Sequence, residues 1–357
     1  MKLGNKRSIF YLFVAMLLSS LVIGSFCKTK FDPVVDDVDS LSSTSKGSIK
    51  ASSTSNKNAS VSDPVYAPVD VEMQPKQVAK NTWYVQGADG MATDNKGFIS
   101  NAGFVVTSKG VVVFDALGSP SLAWKLVQKI REITHQPIVK VVVSHYHADH
   151  IYGIQVFKQL GAEIIAPDGV YDYIDSDGAT ERLEERRFSL EPWVNDKTVV
   201  VTPDKILDKS ESFTVGDTRF LVNIIGSAHS AGDLTLYVEN DRVLFSGDLI
   251  FEGRVPFLGS NNTKHWLETL QKMETNQLHA LVPGHGPAAT NPKQALTLTR
   301  EYLAFMRENM AEAVEEMIDF EDAYNRIDWS KYKNMPAFDA ANRKNAFQVY
   351  LSMENEN

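Results

Sequence analysis

The chain reads as an α/β (α+β) protein of two sheets packed face to face with helices outside. Three observations predict it. Short apolar runs rich in β-branched residues recur between turn residues, amphipathic stretches at helical spacing lie among them, and each candidate ligand falls just past the end of a strand-like run. Two stacked sheets bring such ends to one edge.

The N-terminus opens the argument for domain order. Lys2, Lys6 and Arg7 precede an apolar stretch from Ile9 to about Ile23, then Gly24 and Ser25, which is the layout of a secretory signal over residues 1–27. The apolar core is short for a spanning helix, so export to the periplasm is the expectation, with an uncleaved anchor as the alternative. Cys27 is the only cysteine and stands where a bacterial lipoprotein carries its acylated residue, although Phe26 fills the place where lipoprotein signals use a small one. Residues 28–64, with Leu41-Ser-Ser-Thr-Ser and Ala51-Ser-Ser-Thr-Ser-Asn, hold too little apolar area to offset the entropy of ordering and read as a tether. The net charge of −9 and the lack of a basic, aromatic-interleaved patch argue against a nucleic-acid partner. Membrane contact is expected only through the signal or a lipid anchor; the sequence leaves the oligomeric state open.

Residues 65–290 form the expected catalytic domain. Strand-like segments are 82–85, 97–106 and 111–115, the last two joined as a hairpin through Ser108-Lys109-Gly110. Pro120 to about Thr134 has Leu122, Leu126, Val127 and Ile130 at helical spacing, with Ser119 as N-cap before Pro120. Ile138-Val139-Lys140-Val141-Val142-Val143 is a buried strand, and Ile151, Ile154, Val156, Phe157 and Leu160 mark a short helix closed by Gly161. Arg186-Arg187 beside Glu181, Glu184 and Glu185 reads as a solvated helix face. The second half has hairpins at Gly216-Asp217 and Asn240-Asp241, a helix over 264–275 and a short strand over 280–282. Residues 291–357 form a helical extension: Ala295, Leu298, Tyr302, Phe305, Met306, Met310, Ala313 and Met317 define a long amphipathic helix, and short capping helices follow.

Between the strand at 138–143 and the next helix lies Ser144-His145-Tyr146-His147-Ala148-Asp149-His150, holding three of the eight histidines. His145 and His147, two apart in extended backbone, point the same way. Asp149 and His150 follow where the chain turns and face a second point, so the spacing suggests two metals. His135, His265 and His279 read as surface or helix-end residues.

His145-Tyr-His147-Ala-Asp149-His150 resembles the HxHxDH signature of the metallo-β-lactamase superfamily. Ser227-Ala-His229-Ser-Ala-Gly-Asp233, Phe245-Ser-Gly-Asp248 and Val282-Pro-Gly-His285-Gly286 resemble its later motifs in order, so the likeness covers about residues 78–290. It implies a four-layer αββα metallo-β-lactamase sandwich with a C-terminal helical extension. It assigns His145, His147 and His229 to one zinc, Asp149, His150 and His285 to a second, and Asp248 as the bridge, with iron or manganese as alternative metals. Metal-bound water with a pKa near 7 would supply the nucleophile, Asp149 and Asp248 would be catalytic, and Asp115 would fix a ligand histidine from outside.

The antibiotic-hydrolysing members resemble one another in a Cys or Ser where this chain has Asp248, and the tail resembles members from sulfur-oxidation and quinoprotein-relay gene neighbourhoods. Asp248 and Gly284-His285-Gly286 point towards the glyoxalase-like, thioesterase and lactonase branches, and with the signal at 1–27 the expectation is an exported, dinuclear zinc hydrolase of a small ester, thioester or lactone, with β-lactams as a side activity. An iron-dependent oxidoreductase or persulfide dioxygenase of the same fold is the alternative. Phe251, Arg254 and Phe257, just after Asp248, and Trp193 are candidate walls of the substrate pocket.

Overall fold

The computed structural model describes residues 65–174, 176–259 and 262–356. The signal and tether expected over 1–64 lie outside them. The first sheet runs in chain order: β1 (Lys76–Gln77), β2 (Thr82–Val85), β3 (Ala102–Thr107), β4 (Gly110–Phe114), β5 (Ile138–Val142), β6 (Glu163–Pro167) and β7 (Lys205–Leu207). It is antiparallel as far as β4 and parallel from β4 to β7. The second sheet contains β8 (Glu211–Val215), β9 (Thr218–Gly226), β10 (Asp233–Val238), β11 (Val243–Phe251) and β12 (Ala280–His285), with only β11 and β12 parallel.

Helices α1 (Pro120–Ile133), α2 (Ala148–Ile151), α3 (Ile154–Gln159), α4 (Val170–Ile174) and α5 (Asp177–Ser189) belong to the first half. Those of the second half are α6 (Thr263–Lys272), α7 (Pro292–Glu315), α8 (Phe320–Arg326) and α9 (Phe338–Glu356). Ser119 caps α1 through its hydroxyl, 3.1 Å from the Leu122 amide. Among the described residues no helix is long and apolar enough to cross a membrane.

Three apolar layers make this an αββα sandwich. Leu122, Leu126, Ile130, Val156 and Phe157 pack helices α1 and α3 on the outer face of the first sheet. Between the sheets lie Val112, Phe114, Val222, Leu236 and Phe245. Trp266, Leu303, Met306, Met310 and Val349 seat α6, α7 and α9 on the second sheet. Phe114 and Phe245 stack across the sheet interface with centroids 5.3 Å apart. A Cβ at Gly103 would fall inside the Phe245 ring, so the bare glycine is what lets the sheets close there. At the far end of β10 and β11, Asp241 ties the sheets again, accepting from the Asn81 amide at 2.8 Å and the Thr82 hydroxyl at 2.7 Å.

Four sequence expectations need correction. The strand expected over 97–106 begins at Ala102, because the backbone and side chains of 99–101 bond to the other sheet's end. The helix expected up to Gly161 is two pieces, α2 and α3, parted at Gly153, where a Cβ would strike the Ala116 carbonyl. It also starts inside the ligand motif, so Asp149 and His150 are helical. Strand β11 continues through Asp248, and His285 ends β12, so these two ligand candidates stand on strands and not beyond them. In the tail the short helical pieces at Phe320–Arg326 and Trp329–Lys331 form as expected, but the last is a long helix, α9, of 19 residues.

Candidate metal centre

The seven side chains singled out in the sequence converge at one edge of the sandwich. His145 Nε2 lies 3.0 Å from His147 Nδ1, and His229 Nε2 lies 3.1 Å from the same atom. Opposite them, His285 Nε2 is 3.2 Å from Asp149 Oδ2 and 3.2 Å from Asp248 Oδ2, while His150 Nε2 is 3.3 Å from Asp248 Oδ1. Asp248 Oδ2 also stands 3.4 Å from His229 Nε2, so this carboxylate touches both groups. The ligand atoms of His145, His147 and His229, of His145, His150 and Asp248, and of Asp149, His150 and His285 lie within 4.8 Å of one another in each trio. His147 and Asp149 are half-buried and the other five buried, which puts the open side at that pair.

The four buried imidazoles are aimed by their other nitrogen. His229 Nδ1 donates to the Phe257 carbonyl at 3.0 Å and His285 Nδ1 to the Ile99 carbonyl at 2.8 Å; a carbonyl only accepts, so in each neutral ring the lone pair falls on Nε2. Asp115 Oδ2 accepts from His150 Nδ1 at 2.9 Å and from the Ser144 hydroxyl at 2.9 Å. That hydroxyl, its proton committed to Asp115, accepts from His145 Nδ1 at 2.9 Å. Asp115 holds this place with a left-handed φ of 63°, uncommon for a residue with a side chain and a mark of a functional constraint.

A divalent cation fits this donor set. The ring nitrogens of His145, His147 and His229 stand 3.0 and 3.1 Å apart, close to the roughly 3.3 Å that separates nitrogens around a tetrahedral zinc. Among the described residues the buried His150 Nε2 and Asp248 Oδ1 make no hydrogen bond, a cost of about 1–3 kcal/mol for each atom unless a proton or a metal cation lies between them. Gly284 keeps room for the carboxylate, since a Cβ there would overlap Asp248 Oδ1.

The charges divide the site in two. Burial, then neighbouring imidazoles, hold His145 well below the usual imidazole range, and burial with His229 brings His147 down to about 3. Burial would also lower His285, but Asp248 and Asp149 outweigh it and push it up to about 9. His150 is likewise raised, burial being overcome by Asp149, Asp248 and Asp115. Burial of Asp149 and Asp248 is outweighed in turn by these histidines, which keep both carboxyls well below the usual carboxylate range. In the absence of metal, then, protons on His150 and His285 balance the buried carboxylates.

Sequence reasoning passed over several supports. Asn101 donates to the carbonyls of Pro283 and Gly286 at 2.7 and 2.8 Å, joining the start of β3 to the end of β12. Asp233 accepts from the amides of Ala228 and Ser230 at 3.1 and 2.9 Å and so shapes the loop around His229. Asp233 stood within a quoted motif and Ser144 beside one; the carbonyls carry no residue signature.

The pocket candidates fare unevenly. Phe251 is fully buried, its ring stacked on His285 at 5.8 Å and 5°, so it backs the ligands instead of lining an open wall. Phe257 serves through its carbonyl and lies under the Arg254 guanidinium at 5.3 Å. Arg254 is buried beside the site. Trp193 is corrected: its indole donates to the Pro68 carbonyl at 2.9 Å and packs on the first sheet's helical side. His265, in the first turn of α6, spends Nε2 on the Ile225 carbonyl.

Fold and site together define a hydrolase with a histidine and aspartate cluster able to bind metal. The Metallo-beta-lactamase superfamily profile matches residues 95–285, more than half of the chain, and the chain belongs to that superfamily. Metallo-beta-lactamase IND-1 of Chryseobacterium indologenes is 23% identical over 195 residues, covering 53% of this chain and 73% of the relative. A linear primary-alkylsulfatase of Pseudomonas sp. is 22% identical over 236 residues, covering 56% of this chain and 44% of the relative. Among solved structures, a metallo-beta-lactamase from Pontibacter korlensis superposes with a TM-score of 0.51 at 19% identity, over 65% of this chain and 99% of the other. The sec-alkylsulfatase Pisa1 from Pseudomonas sp. gives 0.60 at 17% identity, over 78% and 50%. Both likenesses are of fold.

Proposed function

We propose that the protein is a dinuclear zinc hydrolase of a small ester, thioester or lactone, with β-lactams as a side activity. The observation that carries the reading is the pair of ligand groups sharing Asp248, each buried imidazole of which has its second nitrogen committed to a carbonyl, a carboxylate or a hydroxyl. When bound, the two ions would supply an activated water at neutral pH and polarise the scissile carbonyl.

The chain's own residues do the rest. His145, His147 and His229 hold one side, Asp149, His150 and His285 the other, and Asp248 sets the distance between them. Asp149, on the open side, is placed to orient the nucleophile and receive its proton. Phe251 keeps water from the rear of His285. The signal read in residues 1–27 supports action outside the cytoplasm.

A buried cation near the centre favours, within this reading, an ester bearing an anionic group. The Arg254 side chain is 2% exposed, its Nη1 lies 3.5 Å from Asp89 Oδ1, and among the described residues its Nε and Nη2 make no hydrogen bond. Burial lowers its pKa while Asp89, Asp248 and Asp149 support the charge, so the guanidinium feels the carboxylates of the centre. A buried positive charge beside the centre would favour an anionic group on a substrate held there. The presence of an alkylsulfatase among the relatives is consistent with this.

The test is elemental analysis of the purified protein together with turnover of thioester, lactone and cephalosporin substrates, for the wild type and Asp248→Ala. Two zincs per chain and ester or thioester cleavage, both lost in the variant, support the reading. One iron per chain with no hydrolysis overturns it in favour of the redox alternative.

A further inference from the structure

The stretch after Asp248 is clamped by the C-terminal helices. Thr299 of α7 exchanges bonds with the Phe251 amide and carbonyl at 3.1 and 3.2 Å, and the Val255 amide donates to the Pro336 carbonyl at 3.0 Å. The clamp nearest a ligand comes from α9. Asn345, 2% exposed, accepts from the Leu258 amide through Oδ1 at 2.9 Å and donates from Nδ2 to the Pro256 carbonyl at 2.6 Å. These two bonds bracket Phe257, whose carbonyl receives the Nδ1 proton of His229.

The carboxamide cannot be turned round. An amide N–H only donates and a carbonyl only accepts, so Leu258 and Pro256 fix which end of Asn345 faces which. Its remaining Nδ2 proton goes to the Tyr302 hydroxyl at 3.0 Å, which donates to Asn342 Oδ1 at 2.8 Å; Asn342 Nδ2 in turn reaches the Tyr324 hydroxyl at 3.1 Å. A buried network with every member satisfied is stiff. Its free end is the grip on 256–258.

We propose that Asn345 is a positioning residue of the metal centre. Lying beyond the family-matched residues 95–285, it fixes the direction of the Phe257 carbonyl and, through it, the tautomer and aim of His229. The inference rests on the metal-centre reading above. The Leu258 N–H shares a planar peptide unit with the Phe257 carbonyl, so holding that N–H and the preceding Pro256 carbonyl fixes the Phe257 carbonyl in direction as well as in place, and a ligand histidine depends on such an outer partner for both tautomer and orientation. The C-terminal extension therefore completes the site as well as covering the second sheet.

The experiment compares full-length wild type, Asn345→Leu and Asn342→Leu by zinc titration against a competing chelator, with thermal unfolding of each metal-free protein. Asn342 shares the network but does not touch the loop. Asn345→Leu is expected to weaken one of the two zinc equivalents about tenfold to a hundredfold, whereas Asn342→Leu lowers the melting temperature and leaves zinc affinity unchanged. The proposal is overturned if Asn345→Leu keeps both equivalents at wild-type affinity, or if both variants lose zinc in step with their loss of stability. A wild type that binds no zinc sinks the metal-centre reading and this inference together; a wild type with two and an unaltered Asn345→Leu sinks this inference alone. Should Asn345→Leu not fold, Tyr302→Phe removes only the hydroxyl that holds Nδ2. It is expected to weaken the same equivalent to a smaller degree, and unchanged affinity there overturns the proposal.

Discussion

Asp115 Oδ2 lies 2.9 Å from His150 Nδ1, so a carboxylate at the end of β4 orients an imidazole 35 residues further along. The same oxygen accepts from Ser144, which bonds His145, and one side chain thereby steers ligands of both groups. In Asp115→Asn the amide would turn donors towards donors, while Asn tolerates the left-handed backbone. The fold is expected to persist and zinc affinity to fall about tenfold to a hundredfold. Chelator competition measures it, and an unchanged affinity would remove Asp115 from the site's support.

Gly284→Ala tests the close approach under Asp248. The added methyl would overlap Asp248 Oδ1 and stand 2.8 Å from the Gly247 carbonyl carbon, and backbone has little room to give. A stability loss of about 1–3 kcal/mol is expected, with bound zinc falling well below the wild-type amount. Denaturant unfolding and elemental analysis of one preparation check both; full metal content would mean the carboxylate can move aside.

The two groups should load with different pH dependence. In the metal-free protein, protonated His285 favours folding; its raised pKa makes that contribution complete below about 6.5 and lost as pH rises through about 9. Metal binding requires the neutral ring, so affinity at Asp149, His150 and His285 climbs over that same window as metal-free stability falls. His147, brought down to about 3, and His145 are neutral throughout it. Zinc at the histidine trio should therefore release fewer protons than zinc at Asp149, His150 and His285, seen by calorimetry in buffers of different ionisation enthalpy. Equal release for both would refute the division.

Arg254→Met separates anion recognition from packing. A charge-assisted hydrogen bond contributes about 1.5–3 kcal/mol, so KM for an anionic ester should rise about tenfold to a hundredfold, with kcat and neutral esters little affected. Thermal stability should hold or improve, because a buried guanidinium with two unpaired nitrogens is replaced by an apolar chain. Equal losses for neutral and anionic esters would assign Arg254 to packing.

Much of the fold was legible because strand and helix periods are written in apolar side chains. The hairpin at Gly216-Asp217, the cap at Ser119 and the long helix from Pro292 stand where the pattern puts them. The failures cluster at the site. Residues 99–101 have strand-like composition but spend their bonds on Asp149, Pro283, Gly286 and His285, and β11 runs on through Asp248. In each case a contact distant in sequence overrode the local preference.

The sequence by itself determined which ligand-bearing residues come together, since His145, His147, Asp149, His150, His229, Asp248 and His285 are all quoted in its motifs and meet at one edge of the sandwich. Tertiary structure alone decided how they are aimed. The carbonyls of Ile99 and Phe257 could belong to any residue, and the Asn345 grip on 256–258 joins segments 87 residues or more apart. Direction in a hydrogen bond is a property of packed geometry, and no residue type announces it.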